Sequence, residues 1–350
     1  MSIAKQTTMD RFFNVKKKTK TIFYIDWQCS QPCAQWLIDY PQSNEIHFSC
    51  EVKWKDVGYP ITICCSNSVD HTPPNLVSES EINNIPLLKS HLQKCTRRQL
   101  TDKALATANI LAGLDFQIFI RRLSIIMFED VHLHLSFSSI VWLISAMSKG
   151  YQINRHQYEW IMGIVKYLCN CKFYDKIDKY LVDHNSISFS DFFKSIEKQS
   201  ITDVQKNMLY SILFRTSYGG LKGDMLMLNA FANIWMKRFV NKQTFLVDDI
   251  IIYKNDTTKH SCLNICDIEL CSADFHCYPK ITNIIHKKFP QYTLSDIREC
   301  IWECGSKINY RENYQELTDD KWLLTYEDIK DYLYIMQKYL IENNILINRN

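Results

Sequence analysis

The chain has 350 residues, 46% of them hydrophobic and 23% charged, a balance that supports a packed interior and excludes a disordered or collagen-like polymer. Only 8 glycines and 8 prolines occur, too few for a sandwich with a turn every ten residues, so helices should dominate. The formal net charge is +3, yet residues 1–20 carry Lys5, Arg11, Lys16, Lys17, Lys18 and Lys20 against Asp10 alone, which leaves the other 330 residues at −2. A body so close to neutral lacks the overall basic footprint of a protein that wraps DNA, and nucleic-acid contact has to be sought locally.

Residues 1–20 read as a polar, basic tail around one apolar cluster. The opening Met-Ser-Ile-Ala-Lys-Gln-Thr-Thr has no apolar core of the kind a secretion signal needs, and the fourteen cysteines read as reduced thiols of an intracellular protein. From Ile46 to Lys55, apolar residues fill the even positions and polar ones the odd positions, which predicts a half-buried strand. Thr21 to Trp27 and Tyr59 to Cys65 are β-branched and aromatic-rich and predict two more. The expected element is a small antiparallel sheet within 21–70.

Asp70 to Ser80 is polar and turn-rich, so residues 71–86 are expected to link the sheet to a helical body. From Leu87 the apolar spacing is helical, and the body is expected to comprise a helical domain at 87–216 and a second at 217–350 with a cysteine-rich segment. The fold class is therefore α+β, predominantly α-helical. Thr101 is placed to cap a helix over 102–112, Thr202 with Gln205 has the spacing of a capping box, and Thr325 with Asp328 imitates it. His132 to Met147 is apolar but shorter than the roughly 20 residues that cross a bilayer, so it predicts a core helix and no membrane partner.

Gln6-Thr7-Thr8-Met9-Asp10-Arg11-Phe12-Phe13 runs Gln-x-x-aliphatic-x-x-aromatic-aromatic. One helical turn brings positions three and four apart onto one face, so Met9, Phe12 and Phe13 together make a compact apolar knob. The segment resembles the PIP box, the peptide by which replication and repair proteins bind the sliding clamp PCNA. The resemblance implies that Met9, Phe12 and Phe13 form a three-pronged plug, that Gln6 enters a separate polar pocket, and that the protein works in the nucleus or a cytoplasmic replication compartment. Lys16, Lys17, Lys18 and Lys20 follow, a flank able to steer the segment onto an acidic surface, to serve as a nuclear-localisation signal or to touch phosphates.

A second likeness runs through Leu92-Gln93-Lys94-Cys95-Thr96-Arg97-Arg98, Asp102, Ala104, Leu111-Ala112-Gly113-Leu114-Asp115, Arg121-Arg122-Leu123 and Glu129-Asp130-Val131-His132-Leu133. This order is similar to the helical region behind the ATPase module of the RarA/MgsA (Werner-helicase-interacting) family. It implies a helical scaffold and self-association into a homo-oligomer; no Gly-x-x-x-x-Gly-Lys-Ser/Thr occurs in the chain, so ATP hydrolysis is not carried over. Independently of the family, Arg121-Arg122 on an apolar helix should face Glu129-Asp130 as a structural brace. His132 and His134, two apart, would face different sides of a helix, which disfavours a metal held with Glu129 and Asp130.

Tyr218-Gly219-Gly220-Leu221-Lys222-Gly223-Asp224 holds three of the glycines directly before an apolar helical run. Gly219, Gly220, Lys222 and Gly223 either seat a DNA phosphate at a helix start or form a tight interhelical turn capped by Asp224. Cys262, Cys266, Cys271 and Cys277, beside His260 and His276, are spaced by three, four and five residues where structural zinc prefers two tight knuckles. They read as buried free thiols; no cofactor is expected, with zinc on these four as the alternative. Asp274, His276 and Cys277 are too close in sequence to define a cysteine nucleophile with its base.

The functional expectation is a non-enzymatic, PCNA-tethered replication or repair accessory factor that contacts DNA phosphates through residues 218–224. The alternatives are a clamp-recruited DNA-processing enzyme, glycosylase or nuclease, and a scaffold whose terminal motif is fortuitous. The enzyme alternative draws on a likeness between Gly220-Leu221-Lys222-Gly223 followed by Val247-Asp248-Asp249 and the hairpin and aspartate of helix-hairpin-helix glycosylases, although the loop is one residue longer than theirs. No catalytic residue is assigned.

Overall fold

The computed structural model describes residues 21–41, 45–54, 60–66, 72–76, 81–175, 189–218, 222–242, 254, 263–311 and 319–343. A four-stranded sheet comes first, made of β1 (Ile22–Ile25), β2 (Gln35–Leu37), β3 (Ile46–Lys53) and β4 (Pro60–Ser66) in the order β2-β1-β4-β3. Strand β3 alternates as its sequence requires. The two central strands, Ile-Phe-Tyr-Ile and Pro-Ile-Thr-Ile-Cys-Cys-Ser, are apolar on both faces because both faces are covered. Phe23, Ile25, Ile61, Ile63 and Cys65 join the main core, while Ile22, Tyr24 and Cys64 pack with Leu37 and Ile46 on the other side.

The expectation of an antiparallel sheet is corrected at its centre. The β1/β2 and β3/β4 pairs are antiparallel, but β1 runs parallel to β4, with Phe23 opposite Ile63 and Ile25 opposite Cys65. Strands β2 and β3, consecutive in the chain, lie at opposite edges and point the same way. Side-chain alternation specifies which face is buried and carries no record of which neighbour a strand chooses. Strand β2, three residues long, offers no period to detect.

Eleven helices follow among the described residues: α1 (Ile85–Arg97), α2 (Thr101–Leu114), α3 (Phe116–Asp130), α4 (Ser136–Met147), α5 (Arg155–Asn170), α6 (Phe189–Lys198), α7 (Asp203–Thr216), α8 (Lys222–Val240), α9 (Ile281–Lys288), α10 (Leu294–Ile301) and α11 (Asp320–Glu342). The fold is α+β and mostly helical. None of these helices is long and apolar enough to cross a membrane. Helix α4 begins at Ser136, four residues later than the apolar run, so His132 and His134 sit in the α3–α4 connection and not on a helix.

Local capping succeeds where cap and partner are neighbours. Thr202 accepts from the Gln205 amide at 3.2 Å and Gln205 Oε1 accepts from the Thr202 amide at 2.9 Å, the expected box before α7. Asn154 with Gln157 builds an equivalent box before α5. Two expected caps are corrected. Thr101 is already inside α2 and gives its hydroxyl proton to Asn170 Oδ1 at 2.7 Å, while Thr325 lies within α11, whose first turn is capped by Asp319. A cap requires non-helical backbone at its own residue, and the surrounding packing decides where that falls.

The sheet is fastened to the helices by polar anchors inside an aromatic layer. Trp142 on α4 donates its indole N–H to the carbonyls of Phe23 (3.0 Å) and Cys64 (3.2 Å), one from each central strand. Trp36 stacks on Phe23 with centroids 4.3 Å apart and donates Nε1–H to Ser211 on α7. One apolar cluster then continues from Phe23 through to Ile341. Trp142→Phe keeps the apolar body but withdraws the indole donor; we expect a loss of about 1–3 kcal/mol of unfolding free energy. Urea denaturation measures it, and an unchanged midpoint would show that the bridge contributes nothing.

Candidate functional site

Of the residues singled out in the sequence, Gln6, Met9, Phe12, Phe13, Gly219, Gly220, Cys262, Asp248 and Asp249 lie outside the described residues. Lys222 opens α8 and is exposed, as is Gly223, beside which an added Cβ would meet nothing within 4 Å; Asp224 stands in the same first turn. Helices α7 and α8 pack against each other across the short connection between them.

Cys266 is exposed, Cys271 half-buried and Cys277 buried, and the described cysteines are all free thiols. Cys277 Sγ donates to the carbonyls of Ser272 (2.9 Å) and Asp274 (3.4 Å), and burial pushes its thiol up to about 12. It is a thiol and not a thiolate at neutral pH, the wrong state for a nucleophile. Among the described residues no group of three or more His, Cys, Asp or Glu side chains is arranged to hold a metal ion.

The histidines near Glu129 and Asp130 make protein hydrogen bonds. His132 Nδ1 donates to the Leu133 carbonyl at 2.9 Å, which leaves Nε2 to accept from the Tyr167 hydroxyl at 2.5 Å. His134 Nδ1 accepts from the Ser136 amide at 3.1 Å. His91, fully buried on α1, lies 2.7 Å from Thr107 Oγ1, whose own proton goes to the Lys103 carbonyl. Its Nε2 faces Cys95 Sγ at 3.2 Å. Burial, with Lys103 and Lys94 nearby, lowers His91 to about 3, so it is neutral at physiological pH.

The expected brace between Arg121-Arg122 and Glu129-Asp130 is corrected. Arg97 on α1 takes Asp130 through Nε, donates Nη1–H to the Ser306 carbonyl at 2.7 Å, and lies 5.4 Å from the Trp302 ring centroid. Burial weakens a guanidinium, but Asp130 and Glu129 outweigh it and hold Arg97 above its ordinary value. Arg122 stands about two turns, on the order of 10 Å, from Glu129 along the same helix. Gln93 bridges that gap, accepting from Arg122 Nη1 at 3.3 Å and donating to Glu129 Oε2 at 2.7 Å.

A second buried pair lies one step away. Lys94 Nζ donates to Asp274 Oδ2 at 2.6 Å and to Ser90 at 2.7 Å. Asp274, fully buried, also accepts from Ser306 Oγ (2.7 Å) and the His276 amide (2.8 Å), with His276 Nδ1 at 3.2 Å. Burial works to raise this carboxyl, but Lys94 and His276 together hold it well below the usual carboxylate range. Arg98 and Arg311 complete the clasp, giving protons to the carbonyls of Gly305 (2.8 Å) and Leu168 (2.6 Å) respectively. No local pattern in the sequence marks Lys94 and Arg97 as a site, because the partner Asp274 is 180 residues away and Asp130 is 33.

In this clasp Lys94 and Arg97 are spent on carboxylates and Arg98 and Arg311 on backbone carbonyls, while Arg98 Nη1 and Asp130 Oδ2 are buried without a hydrogen-bond partner. At α3, α7 and α8, Arg215 donates to Ser124 Oγ at 3.2 Å, and burial raises the Asp224 carboxyl while Arg122 and Arg215 oppose that rise. In comparisons with known proteins, no family model, curated protein or solved structure matches this chain.

Two pH effects follow. Asp274→Asn strands Lys94 and should cost about 3–5 kcal/mol at pH 7. Because the folded carboxyl is depressed, its stabilisation is complete above the unfolded value near 4 and is lost below it, so denaturation curves of mutant and parent should converge as pH falls through that range. His91 is likewise depressed, from 6.5 to about 3, so the parent should lose stability as pH drops below 6.5. His91→Gln should flatten that decline, and an equally steep slope in the variant would remove His91 as its cause.

Proposed function

We propose that this chain is a non-enzymatic accessory factor of DNA replication or repair, held at the sliding clamp PCNA by its N-terminal segment and touching DNA phosphates at the start of α8. The observation that carries the reading is the segment Gln6 to Phe13, in which the spacing of Met9, Phe12 and Phe13 is that of one face of a helical turn and a run of lysines follows. An apolar knob on a charged segment gains most when a partner covers it. Tethering also suits the charge distribution. A body at −2 has little intrinsic pull on DNA, and attachment to a ring already threaded on the duplex raises its effective concentration there without new contacts.

The exposed Lys222 in the first turn of α8 supports a phosphate contact, since that turn also presents backbone amides with no helical acceptor. Such a contact positions the protein without reading sequence.

Phe12→Ala/Phe13→Ala should weaken binding to PCNA by on the order of 30-fold or more in calorimetry, as loss of a buried aromatic anchor does. Unchanged affinity sinks clamp recruitment. Lys222→Ala should weaken DNA binding evenly across sequences and reduce the salt slope by about one. An unaltered slope would leave residues 218–224 a turn and no more.

A further inference from the structure

Cys300 near the end of α10 and Cys304 in the turn that follows it are four residues apart, so their side chains share a face. Both thiols meet one atom of α11: Cys300 Sγ donates to the Trp322 carbonyl at 3.6 Å, and Cys304 Sγ donates to the same oxygen at 3.5 Å. Burial raises both thiols; the neighbouring Cys304 raises Cys300 further, while Cys300 as a hydrogen-bond partner lowers Cys304. Cys300 is buried and Cys304 half-buried, so a dissolved reagent reaches Cys304 first. Residues Trp302–Ser306 form a π-helical turn, closed by the Lys307 amide on the Trp302 carbonyl at 3.0 Å, and such turns collect at functional sites. The far side of this turn is pinned by the buried clasp. Gly305 and Ser306 give their carbonyls to Arg98 (2.8 Å) and Arg97 (2.7 Å), and Ser306 Oγ donates to Asp274 at 2.7 Å. The clasp on one side and α11 on the other thus hold the two sulfurs at a common carbonyl.

We propose that Cys300 and Cys304 are a reversible oxidation site, a dithiol that hydrogen peroxide closes to a disulfide and a thiol reductant reopens. Peroxide takes Cys304 to a sulfenic acid and leaves as one water; Cys300 Sγ then attacks that sulfur, and the hydroxyl departs with the Cys300 proton as a second water. One S–S bond is formed, two S–H bonds are lost, and the two electrons go to the peroxide. The surroundings favour this product over the others. A sulfinate or sulfonate would bring a full charge into a partly desolvated place, whereas a disulfide is neutral. Cβ atoms four apart on a helix lie about 5–6 Å from one another and a disulfide needs about 4 Å, so the turn has to tighten as the bond forms. A bond made under that tension is easily reduced, which makes the closure reversible. The site is independent of clamp recruitment and of any DNA contact.

The sequence makes the test direct, because trypsin cuts after Arg298 and Lys307 and the peptide Glu299–Lys307 carries Cys300, Cys304 and no other cysteine. The full chain is treated with peroxide while folded, then unfolded, blocked with N-ethylmaleimide, digested and measured by mass spectrometry. The peptide should escape both labels and be lighter by two hydrogens, and dithiothreitol added before the block should restore both labels. Closure should also run roughly tenfold faster per pH unit, since the thiolate is the attacking form. Cys304→Ser keeps a donor for the Trp322 carbonyl and removes the thiol that peroxide reaches, so Cys300 should then take its label in full at the same dose. The site is overturned if the parent peptide keeps both labels at a dose that oxidises the exposed Cys266, if either cysteine is joined to a different one, or if Cys300 loses its label equally in the Cys304→Ser chain.

Discussion

A lysine ammonium in the middle of the protein sets the terms for everything packed around it. Lys94 is buried on α1, and a buried cation costs several kcal/mol unless a carboxylate meets it with good geometry. Asp274 does so from 180 residues further on, at 2.6 Å, and is itself saturated by Ser306 and His276. An apolar surface tolerates sliding, whereas a buried ion pair does not, so this contact fixes where residues 263–311 lie on α1. Arg97 repeats the arrangement one turn later with Asp130 and the Ser306 carbonyl. Asn309 donates to the Asp130 carbonyl at 3.0 Å, and the Tyr310 amide to that of Arg97 at 2.9 Å, so the same helix end collects the following backbone too.

The N-terminal sheet is held on the same principle with neutral groups. The main-chain carbonyls of Phe23 and Cys64 receive the Trp142 indole, and the amides of Ala34 and Trp36 donate to Ser139 and Asn207. Each bond crosses from sheet to helix and satisfies a backbone group that burial would otherwise penalise. Stacked and edge-on aromatic rings fill the space between, with Phe214 of α7 set against Phe23, Trp36 and Trp54. Apolar area supplies most of the adhesion in such a layer, and the few directional bonds supply its registration.

This division explains what could be read from the sequence. The alternation at 46–54, the apolar runs of β1 and β4, the change to helical spacing near Leu87 and the Thr202 box are all signals between near neighbours, and each corresponds to an element of the fold. The parallel β1–β4 pair, the roles of Lys94 and Arg97 and the true partner of Asp130 depend on contacts between distant segments, for which a single sequence holds no period. Arg121-Arg122 and Glu129-Asp130 were visible as charged doublets, but their pairing was drawn along one helix when the geometry runs between helices. Lys222 and Gly223 are legible as a helix start; the buried guanidinium of Arg215, set against Ser124 and Met225, is not, because nothing in Leu213-Phe214-Arg215 distinguishes a core arginine from a surface one.

The two ends of the charged network obey different electrostatic logic. At the α1 end Lys94 and Arg97 each have a carboxylate at contact distance, while Arg98 and Arg311 are held by main-chain carbonyls, and removing a carboxylate there costs stability. At the α3–α7–α8 end the arginines are met by neutral groups, Arg215 by Ser124 and Met225 and Arg122 by Gln93, so their registration depends on dipoles and packing.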